Sequence, residues 1–268
     1  MQSEQSHTPK PAIGVFDSGI GGLSVLHEIR ALIPDANLIY VADTEYLPYG
    51  TKSEAIIQER AKKITEFLIA QGAVLVVMAC NTATAAAATY LRQNFEIPII
   101  GMEPAIKPAA SLTQTGVIAV LATENTTKSN RLAELKDRYA HHIHVISQPC
   151  HGLVELVEAN DLNSEKTLAL LDSYIAPLLA AEADVLILGC THYPFLKPAI
   201  QQLVGARMTI LDTGNAVARH TQTQFQTLNL IAEQYGVEYF YCTHPSDNSA
   251  QLISTLWKPN THCSHILI

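Results

Sequence analysis

The sequence predicts an α/β protein of two pseudosymmetric, doubly wound units with mainly parallel sheets. Three observations lead there. Strand-sized apolar runs alternate with helix-length periodic segments from end to end. The strands are continuously apolar, as in "VLVVMA" at 74–79 and "VLIL" at 185–188, which is what parallel strands covered on both faces require. Two of them also end alike, "VLVVMACNTAT" and "VLILGCTHYPF", each with a small residue and then a cysteine followed by hydrogen-bonding side chains.

Taken in order, "AIGVF" is a strand and Leu23 to Leu32 the helix after it; "NLIYVA" precedes a helix from Ser53 to Gln71. Ser53 followed by Glu54 is an N-cap signal, and Gly72 stands where a C-cap glycine would. "AVLVVMA" leads into Thr82 to Asn94, "IPIIG" into Glu103 to Ser111, and "GVIAVLA" into Thr127 to Tyr139. "IHVIS" is followed by helical stretches Gly152 to Ala159 and Glu165 to Ala181, then "DVLILG" by Pro194 to Val204. "MTILD", Asn215 to Phe225 and the strand "VEYFYCT" complete the pattern. So many strands in 268 residues divide into two units: 1–98 with 211–268, carrying Cys80, and 99–210, carrying Cys190. No flexible linker separates them, so they pack directly on each other.

Composition narrows the function. No apolar run approaches the roughly 18 residues of a membrane helix, and "MQSEQSHTPKP" lacks the apolar stretch of a signal peptide and reads as a disordered tail. A cytoplasmic protein is expected. Its five cysteines, without a secretory signal, are expected to be reduced thiols. A net charge of −8 argues against nucleic acid as a main partner. A small anionic substrate remains compatible, because a local nest of backbone N–H groups binds a carboxylate whatever the net charge.

Ligands of open α/β sheets bind beyond the carboxyl ends of the strands, and both matched cysteines fall there. A thiol at a helix N-terminus meets unpaired N–H groups and the positive end of the helix dipole, which lower its pKa from about 8.5 towards neutrality. Cys80 with Asn81 and Thr82, and Cys190 with Thr191 and His192, are therefore candidates for proton transfer and substrate contact. Asp17 and Ser18 follow the first strand, before a turn in which Gly19, Gly21 and Gly22 miss the spacing of a dinucleotide loop. "PYGTKS" offers backbone N–H groups and a phenol at Tyr49 and Gly50. His141, His142 and His144 alternate across a strand with no carboxylate nearby in sequence and read as solvent-facing, so no metal site is expected. Cys242, in "YCTHP", copies the letters of the second cysteine motif but has no helix directly after it, and is assigned to packing. Cys150 and Cys263 have no matched counterpart.

The motifs "VFDSGIGGLSV", "PYGTKS", "ACNTATA", "MEPAIKPA", "LATENTTKS", "LGCTHYPFL" and "DTGNAVA" together resemble the glutamate racemases of the aspartate/glutamate racemase superfamily, from Ala12 to Thr243. The resemblance implies two α/β domains with the substrate between them, and an isomerase supplying D-glutamate for peptidoglycan without pyridoxal phosphate or metal. It implies that Cys80 takes the proton from D-glutamate and Cys190 from L-glutamate, with Asp17, His192 and Glu158 as auxiliary groups. Glu155 competes with Glu158 for its position. By the same likeness Asp17, Ser18, Tyr49, Gly50, Asn81, Thr82, Thr191 and His192 contact substrate, and a homodimer is expected. An aspartate racemase and a non-catalytic glutamate-binding regulator are the alternatives; His192 disfavours the former, which typically has an acidic residue there. Asn125 stands where the family usually has glycine, Arg131 where it has a small or aromatic residue, and "PCHG" before Leu153 also departs from many members.

Overall fold

The computed structural model describes residues 11–229, 236–244 and 247–268. The tail over 1–10 lies outside the described residues. The chain forms two sheets in which every strand pair is parallel. The first holds β1 (Ala12–Asp17), β2 (Asn37–Ala42), β3 (Ala73–Met78), β4 (Ile99–Ile100), β9 (Glu238–Cys242) and β10 (Cys263–His265), in the order β10-β9-β2-β1-β3-β4. The second holds β5 (Val117–Ala122), β6 (His144–Pro149), β7 (Val185–Leu188) and β8 (Thr209–Leu211), in the order β6-β5-β7-β8.

The motif β2-β1-β3-β4 thus recurs as β6-β5-β7-β8. Under this correspondence β3 and β7, the strands that lead to Cys80 and Cys190 two residues beyond their ends, are equivalent, and so are β1 and β5. Sheet membership extends through Ile100 on the first crossing and through Leu211 on the return, beside the cuts placed at 98 and 210 in the sequence.

Continuous hydrophobicity does what it predicts. Ile13 and Val15 of β1 point into one buried cluster, Ala12 and Phe16 into another. The first of these clusters also takes Ala119 and Leu121 of β5, so the two sheets share a core. Around it lie α1 (Leu23–Leu32), α7 (Leu153–Glu158), α8 (Glu165–Ala180), α9 (Lys197–Val204) and α10 (Gly214–Thr227). The outer face of the first sheet is covered by α2 (Glu54–Ala70) and α3 (Asn81–Asn94), that of the second by α4 (Ile106–Leu112) and α6 (Asn130–Tyr139).

Helix punctuation follows the sequence closely. Ser53 caps α2 by accepting the Ile56 N–H, and Gly72 leaves the helix at a φ of 99°. Some expectations need correction. The helix read over Thr127 to Tyr139 is two, because Thr123 caps a short α5 (Glu124–Lys128) and Ser129 caps α6 separately. Thr243 and His244, directly after Cys242, are not helical, as expected; α11 (Asp247–Leu256) comes further on and is followed by the edge strand β10. Cys242 itself is buried in the common core, in the packing role assigned to it. No helix among the described residues is long and apolar enough to cross a membrane.

Candidate active site

The carboxyl ends of β1 and β3 face those of β5 and β7, and the site is built from the turns that follow them. After β1 the chain makes the glycine turn. A Cβ on Gly19 would lie 2.0 Å from Glu158 Oε1, and one on Gly21 would lie 2.2 Å from His192 Nδ1. The glycines therefore let the first sheet approach the second closely; they do not cradle a phosphate. Through this contact the Ile20 N–H donates to Glu158 Oε1 at 2.8 Å.

Asp17 is fully buried and accepts from the Gly19 N–H at 2.7 Å and, from across the cleft, the Thr191 hydroxyl at 2.9 Å. Burial pushes its carboxyl up to about 6, against the His192 charge and these two hydrogen bonds.

Cys80 is the N-cap of α3, its Sγ accepting the Ala83 N–H at 3.4 Å. The helix terminus does not lower its pKa, as the sequence suggests it should. Burial raises it, the Asp17 charge and the Cys190 charge add to this, and the Ala83 and Ser18 N–H groups offset only part. In the first turn of α3, Asn81 is buried with both carboxamide atoms unpartnered. Such a group is costly unless a ligand completes it. Thr82 turns to the second sheet, its hydroxyl 2.8 Å from Thr123 Oγ1 and 3.2 Å from Thr126 Oγ1.

Cys190 lies two residues past the end of β7, with its Sγ 3.8 Å from His192 Nδ1. His192 Nε2 is 2.7 Å from Glu158 Oε1, so thiol, imidazole and carboxylate form a chain. Burial works against the imidazolium, yet the hydrogen bonds to Cys190 and Glu158, with the charges of Cys190 and Asp17, raise the His192 pKa well above its ordinary value. The choice between two glutamates is geometric: Glu158 is buried against His192, whereas Glu155 is exposed.

The structure brings Asp17, Ser18, Cys80, Asn81, Thr82, Glu158, Cys190, Thr191 and His192 to one locus. The turn at Tyr49 and Gly50 reaches it differently from the sequence expectation. The Tyr49 phenol is buried and donates to Asp43 Oδ2 at 2.5 Å, so it is an anchor, and the next residue, Gly50, stands against Thr123 of the second sheet's side. Asp43 is held in turn by both Arg60 Nε, at 3.1 Å, and Arg60 Nη2, at 2.8 Å, and by the Thr243 hydroxyl, also at 2.8 Å.

Sequence reasoning missed Thr123, Thr126 and Cys150. Thr123 and Thr126 complete the hydroxyl cluster with Thr82, and Thr123 follows β5 where Ser18 follows β1, a correspondence that the duplicated strand order could have flagged. Cys150, directly after β6, lines a small hollow with Gly50 and Thr123, and its thiol is pushed up to about 12 by burial and the Cys190 charge. His141, His142 and His144 are exposed. Among the described residues no cluster of three or more His, Cys, Asp or Glu is arranged to hold a metal ion.

Residues 13–221 match the family model of the Asp/Glu/hydantoin racemases. The chain belongs to this family. It is 49% identical over 249 residues to the glutamate racemase of Stutzerimonas stutzeri, covering 92% of this chain and 94% of that one. To the glutamate racemase of Ectopseudomonas mendocina it is 55% identical over 231 residues, 86% of this chain and 87% of that one. Its fold superposes on Escherichia coli glutamate racemase, crystallised with L-glutamate and the activator UDP-MurNAc-Ala, with a TM-score of 0.85 at 36% identity, covering 97% and 98% of the two chains.

Proposed function

We propose that this member of the racemase family interconverts L- and D-glutamate without a cofactor, using Cys80 and Cys190 as acid and base on opposite faces of the α-carbon. What supports the reading most is topological: the two thiols follow equivalent strands of two sheets that face one another, and Cys80 lies within electrostatic reach of Cys190. Inversion removes a proton from one face and delivers another to the opposite face, and one rigid side chain cannot do both.

Cys80 takes the α-proton of D-glutamate onto sulfur; the C–H electron pair stays on the α-carbon, spread into the adjacent carboxylate; the Cys190 S–H then donates from the other side. L-glutamate follows the reverse path. The unpartnered Asn81 carboxamide suits the substrate's α-carboxylate, Asp17 its α-ammonium, and the N–H groups at Gly50 its distal carboxylate.

In the resting site burial and Asp17 hold Cys80 as the thiol. The substrate's ammonium supplies the positive charge that favours the Cys80 thiolate, whose proton leaves to solvent as substrate binds, so the base is generated only in the occupied site. The D-glutamate formed would serve peptidoglycan precursors in the cytoplasm, and a homodimer is the proposed assembly.

The test follows the circular dichroism of L-glutamate in the presence of the purified protein. The signal decays to zero as the racemate forms, in the presence or absence of a chelator, and L-aspartate is left unchanged. Binding of glutamate without decay of the signal contradicts the reading.

A pH dependence follows from Asp17. Its carboxylate must be ionised to face the ammonium, and its carboxyl titrates at about 6. The kcat/KM profile of the free enzyme is expected to be flat above that value and to fall about tenfold per pH unit below it. Asp17→Asn lowers the plateau and removes the limb; a wild-type profile without a limb near pH 6 removes Asp17 from this role.

A further inference from the structure

The turn that presents Gly50 is held from both sides of the cleft. Behind it, the Tyr49 phenol is fixed to the buried Asp43 and Arg60 pair of the first sheet. In front of it stands Asn125, in the first turn of α5, which belongs to the second sheet's side. The Asn125 Nδ2 atom donates to the Tyr49 carbonyl at 3.0 Å and to the Lys52 carbonyl at 2.8 Å. Both of its N–H groups are thereby spent on the two carbonyls that flank Gly50 and Thr51. Contact is close along the same seam, because a Cβ on Gly50 would lie 3.0 Å from the Thr123 Cβ.

We infer that Asn125 is a cross-cleft clasp, a positioning residue that holds the Gly50 turn shut against α5 and so sets how firmly glutamate is retained. The inference rests on the racemase reading for what the turn binds. Two features make the carboxamide suited to the task. It offers two donors from one atom, and the carbonyls it meets belong to the first sheet's side while Asn125 belongs to the second's, so the two bonds bridge the seam. An aspartate of the same shape would face those carbonyls with acceptors only, and alanine would leave them without the donors.

The clasp acts on binding and leaves the reacting atoms untouched. In Asn125→Ala and Asn125→Asp, KM is expected to rise by about 5- to 30-fold for both enantiomers, from two hydrogen bonds each of ordinary net strength, with kcat within about twofold of wild type. Hydrogen exchange of the ligand-free protein, read by mass spectrometry, supplies an independent measure. The peptide covering residues 48–52 exchanges faster in both variants, while peptides from β1 and β3 keep the wild-type rate. Unchanged exchange at the turn, an unchanged KM, a kcat that falls as far as kcat/KM, or faster exchange throughout the molecule overturns the clasp. Should the wild-type protein fail to racemise glutamate, the racemase reading falls, and exchange at residues 48–52 still decides whether Asn125 closes the turn.

Discussion

Cys80→Ser and Cys190→Ser are each expected to lose racemisation by at least about 10³-fold, since a hydroxyl is a far weaker acid than a thiol and general acid–base groups contribute 10²- to 10⁴-fold. The informative result is what each variant keeps. In D₂O, Cys190→Ser retains Cys80, which still removes the α-proton of D-glutamate and returns deuterium to the same face. It therefore labels D-glutamate at the α-carbon without inverting it, and leaves L-glutamate unlabelled. Cys80→Ser does the reverse. The measurement is mass spectrometry of each recovered enantiomer; labelling of both enantiomers by either variant assigns the second base to another group. Cys150, buried beside the cleft and within the electrostatic reach of Cys190, is the thiol to examine in that event.

Removing the imidazole beside Cys190 has the next largest effect. His192 lies 3.8 Å from the sulfur and is tied to Glu158 at 2.7 Å, so the buried carboxylate stabilises the imidazolium that faces the thiol. Asn in its place removes that positive charge and leaves Glu158 with one fewer donor. The expected loss is about 10²-fold in kcat, at the low end of what a positioned proton-transfer partner supplies. Because only the Cys190 side is damaged, the slow step becomes the transfer at that sulfur. With α-deuterated L-glutamate the primary isotope effect rises, whereas with α-deuterated D-glutamate, whose deuterium leaves at Cys80 before the slow step, it falls. Equal changes in the two directions would place His192 outside the Cys190 half of the reaction.

How much of this was legible depended on whether the signal was local. The strands announced themselves because their apolar runs are continuous, and the cysteines because each sits at the end of such a run, with polar residues directly after it. Chain order alone carried Asp17 and Ser18 for the same reason. The pairings across the cleft were not legible. Thr82 with Thr123 and Thr126 joins residues far apart in sequence, each of which is an ordinary helix-start threonine in isolation. The Tyr49 phenol looked available to substrate because nothing nearby in the sequence says that Asp43 and Arg60 will claim it. Asn125 could be seen only as a departure from the family; its two carbonyl partners come from folding. Gly19 and Gly21 are small to admit Glu158 and His192, partners that chain order alone does not reveal. The helix N-terminus does not lower the Cys80 pKa because burial and the Asp17 charge outweigh the Ala83 and Ser18 N–H groups, and neither is visible in local sequence. At the end of the chain, β10 is three residues long and becomes a strand only by its register on β9.

The most direct measurement is a crystal structure of the protein with D-glutamate bound. The two-thiol account expects the Cys80 and Cys190 sulfurs on opposite faces of the α-carbon, each within about 3.5 Å of it, with the Asn81 carboxamide on the α-carboxylate. Both sulfurs on one face of that carbon, or either one out of reach of it in the closed complex, would contradict it.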